Sequence, residues 1–240
     1  MPFHVEDVVS DEDFEELLEV EIAAFEQPLS PIRLIYYPVF GEGPEARSAS
    51  IRECAQRAIA RNRATPGSQW SKIIDDDTGK IVAASVWQFY DKDPYTGTQD
   101  PEVSWWPRGD GKRFAQQFAN ALRRARVRYM AKPHAYLLHL TVLPEFRSRG
   151  LGRLLLGWGI QKVDERGMEA YIDAAAMSKP LYERCGFVAG DHECIDFDGE
   201  GDKEWHELVR TCLPFEYWPM WRPAKGDYGD AKVFRPVKSR

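Results

Sequence analysis

Arg147-Ser148-Arg149-Gly150-Leu151-Gly152 is the stretch whose residue types point most directly to chemistry. An apolar, strand-like run from Tyr136 to Val142 precedes it, a proline turn follows at Pro144, and a helix-period segment opens at Leu151. A glycine-bearing loop at a helix start gathers several backbone N–H groups in one concavity at the positive end of the helix dipole. Such a concavity suits a phosphate or pyrophosphate. Gly150 and Gly152 are expected to let the ligand reach the main chain with no Cβ in the way. The alternative, from these residues alone, is a plain strand-turn-helix connection whose arginines are solvated. A dinucleotide fingerprint or a P-loop is excluded, because the glycine spacing differs and no Gly-Lys-Ser/Thr is present.

The elements that must hold this loop can be read in order. His4 to Val9 reads as a short strand, and Ser10 as the cap of a helix carrying Phe14, Leu17, Leu18, Ile22 and Phe25 on one face. Pro28 and Pro31 are expected to end that helix. Ile32 to Phe40 is either a short helix or an ordered loop, and a second helix runs from about Glu45 to Arg63. Gln69 to Asp75 and Lys80 to Tyr90 form a hairpin around the turn Asp76-Asp77-Thr78-Gly79. Asp91 to Asp110 reads as a long, moderately acidic loop, either a wall that orders a cationic substrate or a solvated insertion. Lys112 to Met130 is an amphipathic helix with Phe114, Phe118, Leu122, Ala125 and Tyr129 on its stripe. Its arginines form a basic face, either solvated or turned to an acidic partner.

After the central loop, Leu151, Leu154, Leu155 and Trp158 make one apolar stripe and Leu156, Ile160 and Val163 a second, so the helix is packed on two flanks. Gly157 and Gly159 are expected to admit another backbone. Glu169 to Ala174 is a short strand, and a one- to two-turn helix from Ser178 or Lys179 ends at Gly186. Asp173 either orients a cationic substrate or caps the turn. The tail from Val188, with Trp205, Val209, Phe215, Tyr217, Trp218 and Trp221, reads as two late strands. It would suit a homodimer contact or simple closure of the sheet. No internal repeat or linker divides the chain, so residues 1–240 are expected to form a single domain.

Composition narrows the classes. With 38 acidic and 32 basic residues the formal net charge is −6, against a general nucleic-acid binder. No apolar run reaches membrane-span length, and the N-terminus lacks the basic-then-apolar order of a secretion signal. Cys54, Cys185, Cys194 and Cys212 are widely spaced with no C-x-x-C pair, which fits reduced thiols in a cytoplasmic protein better than disulfides or a zinc site. Eight Trp, ten Tyr and twelve Phe exceed the needs of a core this size, so some are expected to line a pocket.

The order strand, Arg-x-x-Gly-x-Gly, helix, strand and a short helix ending Leu181-Tyr182-Glu183-Arg184-Cys185-Gly186-Phe187 resembles the GNAT acetyltransferase superfamily. Arg147, Gly150 and Gly152 match its loop pattern, and Leu181, Tyr182, Gly186 and Phe187 its later marker. The resemblance covers about 135–188, extends to the first strand-helix pair and the 69–90 hairpin, and is weak at 91–110 and in the tail.

The resemblance implies a mixed α/β (α+β) fold with a central, mostly antiparallel sheet flanked by helices on both faces. It implies acetyl transfer from acetyl-CoA, with no metal. The amides of Ser148, Arg149, Gly150, Leu151 and Gly152 would hold the CoA pyrophosphate, Arg147 and Arg149 adding charge. Leu140, Thr141 and Val142 would pair with pantetheine like an added strand, and N–H groups near Val142 could stabilise the oxyanion. Tyr182 would be the general acid that protonates the leaving thiolate. Where many members have an Asn, this chain has Ala175, and Ser178 or a backbone group would take over.

The base is the other departure, since the strand positions that often supply it fall near Tyr136 and Leu138. Strand alternation places His139 on the face opposite Tyr136, Leu138 and Leu140. His139 is therefore expected in the core or on the surface rather than at the catalytic centre. His134 sits at the strand's start, Glu102 lies in the long loop, and a water chain or an amine that arrives neutral would remove the need for a base. The expected activity is N-acetylation of a small-molecule amine, because the insertion and the aromatic surplus suggest a walled pocket. The alternatives are acetylation of a protein or peptide amine, and a non-catalytic CoA-binding module.

Overall fold

An almost unbroken run of buried residues, Ile81–Tyr90, is the pattern of a strand covered on both faces. In the computed structural model, which describes residues 2–98, 100–229 and 234, that run is β3 of a mixed sheet. The sheet also contains β1 (Phe3–Asp7), β2 (Ser68–Asp75), β4 (His134–Val142), β5 (Ala170–Ala174), β6 (Val188–Ala189), β7 (Glu193–Ile195) and β8 (Phe215–Arg222). The order is β1-β2-β3-β4-β5-β8-β6, with β7 also on β8. Every pairing is antiparallel except β4 with β5.

Helices cover both faces. On one, α1 (Phe14–Glu26) and α3 (Gly43–Ala64) pack Phe14, Leu17, Leu18 and Ile51 against Trp70 and Val86. The short α2 (Pro31–Tyr36) lies beside them, with Pro31 opening it at a first-turn position where the missing N–H costs nothing. On the other face, α5 (Leu151–Glu165) buries Leu151 and Leu155 against Ile73 and Ala83, and Leu156 against Trp87 and Leu137. A further cluster joins α4 (Asp110–Met130) to α7 (Lys203–Cys212) through Phe114, Phe118, Trp205 and Leu208. The short α6 (Lys179–Arg184) completes the set.

Two sequence expectations are corrected here. The tail is not two strands with an irregular end, because α7 separates β7 from β8. Asp202 caps this helix by accepting from the Trp205 N–H at 3.0 Å. Trp205, Leu208 and Cys212 then recur at helical spacing on its buried side. In α5, Gly159 does not admit another backbone: a Cβ there would stand 2.0 Å from the Trp87 indole nitrogen. Gly157 faces open space.

One irregularity of the sheet prepares the site. β4 and β5 are joined only at Ala135↔Ala170 and Tyr136↔Tyr171. Beyond those pairs the parallel strands part, and the β5-facing edge of β4 carries no further pairing among the described residues.

Candidate active site

A cavity of about 1330 Å³ runs along this split, from the loop before α5 to the space between α1, α3 and α4. At its loop end Gly150 is in the left-handed region, φ +84°, with nothing within 4 Å of where a Cβ would be. Conformation is what this glycine supplies. The N–H groups of Ser148, Arg149, Gly150, Leu151, Gly152 and Arg153 have no hydrogen-bond acceptor among the described residues. Gly152 lines the cavity, and a Cβ there would also meet Leu181 of α6 at 3.2 Å.

Arg147 differs from expectation in what its side chain does. Its guanidinium donates to Val142 O at 3.2 Å, to Ala24 O at 2.8 Å and to Gln27 O. It therefore ties the loop to the carbonyl-rich end of α1, while still lining the cavity. Arg149 lies over the Phe146 ring and donates to Glu145 O at 3.1 Å.

Along the split, Leu140, Thr141 and Val142 line the cavity from β4, while Ser178 and Tyr182 line it from the region of α6. The structure thus brings these residues to one continuous wall with Arg147, Ser148, Gly150, Leu151 and Gly152, while Arg149 does not line it. The Ser178 hydroxyl donates to Ala175 O at 3.1 Å, which leaves its lone pairs available. Tyr182 is 4% exposed and packs edge-on to Phe187. Burial raises its pKa, opposed in part by the Ser178 hydroxyl, so the phenol remains a proton donor at neutral pH. Unbonded amides on a helix start and an open strand edge are the features a CoA diphosphate and pantetheine require, so the residues fit that co-substrate.

His139 is the principal correction. β4 carries a bulge where Val86 pairs with His139 but Trp87 pairs with Leu137, leaving Leu138 as an extra residue. Alternation slips by one there. His139 therefore shares the α1 face with Tyr136, while Leu140 packs toward α5. In that position the His139 Nδ1 lies 3.3 Å from Glu21 Oε1 and 3.2 Å from the Tyr37 hydroxyl. Tyr37 donates to Glu21 Oε2 at 2.9 Å, its pKa held well above the ordinary value by burial and by the Glu21 charge. Glu21 itself is 0% exposed. Sequence reading missed Glu21 and Tyr37. The one available signal was a glutamate in the apolar stripe of α1, flanked by the buried Val20 and Ile22. The other candidate bases fall away. His134 is buried against Lys132 O, with its pKa lowered by burial, and Glu102 is 81% exposed; neither lines the cavity.

Asp173 neither caps a turn nor waits for a cation. Its Oδ2 accepts from Arg126 Nε at 2.7 Å and from the Tyr136 hydroxyl at 3.0 Å, and its Oδ1 from the Tyr171 hydroxyl at 2.5 Å. Burial disfavours the Arg126 charge, but Tyr136, Asp173 and Tyr95 more than offset that and hold its pKa well above the ordinary value. The α4 arginines are therefore not all a wet face. The described residues of the 91–109 segment are mostly exposed but anchored to the body of the protein. Trp105 and Trp106 both donate to Ile35 O, at 2.9 and 2.8 Å, and Arg123 holds Asp100 and Thr98. So anchored, the segment turns Tyr95, Thr98 and Trp105 into the cavity wall.

Among the described residues no group of three or more His, Cys, Asp or Glu is placed to hold a metal ion, and no helix is long and apolar enough to cross a membrane. The four cysteines are free.

Residues 75–187 match the model of the Acetyltransferase (GNAT) family. Among solved structures, arylalkylamine N-acetyltransferase 2 from Aedes aegypti is similar over 93% of this chain and 99% of its own, at 14% identity and a TM-score of 0.61. Histone acetyltransferase HPA2 and related acetyltransferase from Corynebacterium glutamicum is similar over 93% and 97%, at 22% identity and a TM-score of 0.55. The Sinorhizobium meliloti phosphinothricin acetyltransferase, solved with AcCoA, is similar over 100% and 95%, at 15% identity and a TM-score of 0.53. At these identities the likeness is one of fold. No curated protein sequence matches the chain.

Proposed function

We propose, from the premise that this chain carries a GNAT acetyltransferase domain at residues 75–187, that the whole chain acts as one N-acetyltransferase on the primary amine of a small molecule. The observation that carries this reading is the single cavity linking the unbonded amides of Ser148 and 150–153, Tyr182 and the His139–Glu21 pair. Acetyl-CoA, when bound, supplies an already activated thioester carbonyl. The residues of the chain then have three tasks: to align the amine with it, to take one proton from the amine, and to return one to the leaving sulfur.

In this reading Ser148 to Gly152 receive the diphosphate on main-chain N–H groups. Leu140, Thr141 and Val142 offer the open edge of β4 to the pantetheine amides. Ser178 adds a hydroxyl where Ala175 cannot. His139 accepts the amine proton, directly or through one water. Glu21 orients the imidazole through Nδ1, and Tyr37 fixes the Glu21 side chain. Tyr182, kept protonated by burial, gives its proton to the thiolate. The two transfers leave the net charge unchanged, and exchange of one proton each with water returns His139 to its neutral form and Tyr182 to its phenol before the next turnover. The anchored 91–109 wall narrows the acceptor half, which favours a small amine over an extended peptide.

The test is incubation of the purified chain with acetyl-CoA and a panel of small amines and peptides, with thiol release as the readout. Turnover confined to small amines supports the proposal. Turnover with peptides alone would replace the substrate class, and CoA binding without any turnover would remove the enzyme.

A further inference from the structure

The carboxylates on the acceptor half of the cavity all have partners, but among the described residues not all of its guanidiniums do. Of the carboxylates, Glu21 has one oxygen on Tyr37 and the other beside His139. Asp173 is taken by Arg126, Tyr136 and Tyr171. Glu216, at the rim, faces His192 at 3.6 Å. The guanidiniums are less fully used. Arg57 binds Glu53 at 2.9 Å and Tyr36 O at 2.5 Å, and Arg123 binds Asp100 and Thr98. Arg126 engages Asp173 through Nε alone. Its terminal nitrogens have no hydrogen-bond partner among the described residues, and its side chain keeps 21% exposure while lining the cavity. Arg61 lines the same cavity, and among the described residues it has neither an ion pair nor a hydrogen bond. Arg61 and Arg126 also lie close to the same two phenols, each opposing the burial that raises the pKa of Tyr36 and Tyr90.

From this we infer that the acceptor amine carries an anionic group, a carboxylate or a phosphate, received between Arg61 and the terminal nitrogens of Arg126. The uncommitted donors here are planar guanidinium forks, which match both anions bidentately. A dicationic acceptor would meet two positive groups while every nearby carboxylate is already occupied. The aromatic wall of Tyr36, Tyr90, Tyr95 and Trp105 strengthens the effect by displacing water from around the charges. This inference rests on the proposed acetyl transfer, and the two can fail separately.

The experiment compares amines of matched size bearing a carboxylate, a phosphate, a neutral amide or a second ammonium. It measures kcat/KM by thiol release, and also direct binding by calorimetry with CoA present. The anionic amines should be preferred over the neutral amide by about ten-fold or more. Arg61→Gln should lower kcat/KM for the preferred anionic amine at least about ten-fold more than for the amide. The carboxylate and phosphate arms separate the two sources of charge. A preference for the diamine, or an equal loss for charged and neutral amines in Arg61→Gln, overturns the inference and leaves acetyl transfer standing. Binding of the anionic amine that Arg61→Gln weakens, without turnover by any amine, sinks the transfer and upholds the anion site. Absence of both binding and turnover refutes both.

Discussion

Replacing Asp173 by Asn removes one charge and almost no volume from the junction of α4, β4 and β5, and the cost can be worked from its three bonds. Arg126, Tyr136 and Tyr171 donate to the carboxylate at 2.7, 3.0 and 2.5 Å. Hydrogen bonds to an ionised group contribute about 1.5–3 kcal/mol against about 0.5–1.5 for neutral ones. Neutralising the acceptor therefore costs about 1 kcal/mol per bond, or about 3 in all. That agrees with the lower end of about 3–5 kcal/mol for stranding one member of a buried ion pair. The lower end applies because Arg126 keeps 21% of its side chain open to the cavity. For a chain of this length each kcal/mol moves Tm by about 2–4 °C, so Asp173→Asn should melt about 6–12 °C lower. Urea unfolding followed by tryptophan fluorescence gives the free energy. Arg126→Met and the double variant then close a cycle. If the pair is coupled as the distances imply, the double variant should lose at least about 1.5 kcal/mol less than the sum of the singles. Additivity within about 0.5 kcal/mol, or a single variant within about 1 kcal/mol of the parent, would refute the reasoning.

Tyr182→Phe should fold normally and lower kcat by about 100-fold or more, the usual loss for a general acid. Since burial raises the phenol's pKa, its proton is present at neutral pH and lost only above the ordinary tyrosine range; kcat in the parent should therefore show no alkaline decline below about pH 10 that Tyr182→Phe abolishes. His139→Gln should reduce kcat/KM by about 100-fold. An unchanged kcat/KM would move the base elsewhere. Two glycines of α5 make a paired test by thermal unfolding. Gly157→Ala meets nothing within 4 Å and should stabilise by up to about 1 kcal/mol. Gly159→Ala drives a methyl into the Trp87 indole and should destabilise by about 1–3 kcal/mol. Equal effects would show that the α5–β3 contact is looser than the distances indicate.

Sequence alone determined the parts that depend on neighbours along the chain. The strand-loop-helix of 136–165 was legible because apolar period, proline turn and helix start are all local. The hairpin turn at 76–79 and the stripe of α4 were legible for the same reason. Even α7 was written in the spacing of Trp205, Leu208 and Cys212 and in the Asp202 cap, though grouping Trp205 and Val209 with the aromatic strand that follows masked it. Tertiary structure decided what local period cannot carry. One extra residue at Leu138 turned His139 to the other face of the sheet, and a bulge is a property of two paired strands, not of one. Glu21 and His139 are 118 positions apart and meet only because α1 packs across β4. In the sequence Arg126 reads as solvated or turned to an acidic partner and Asp173 as a turn cap or a cation site, until folding places them in contact. A side chain's period says which face it occupies, but its charge acquires a role only from the partner brought to it, and that partner is set by the packing of distant elements.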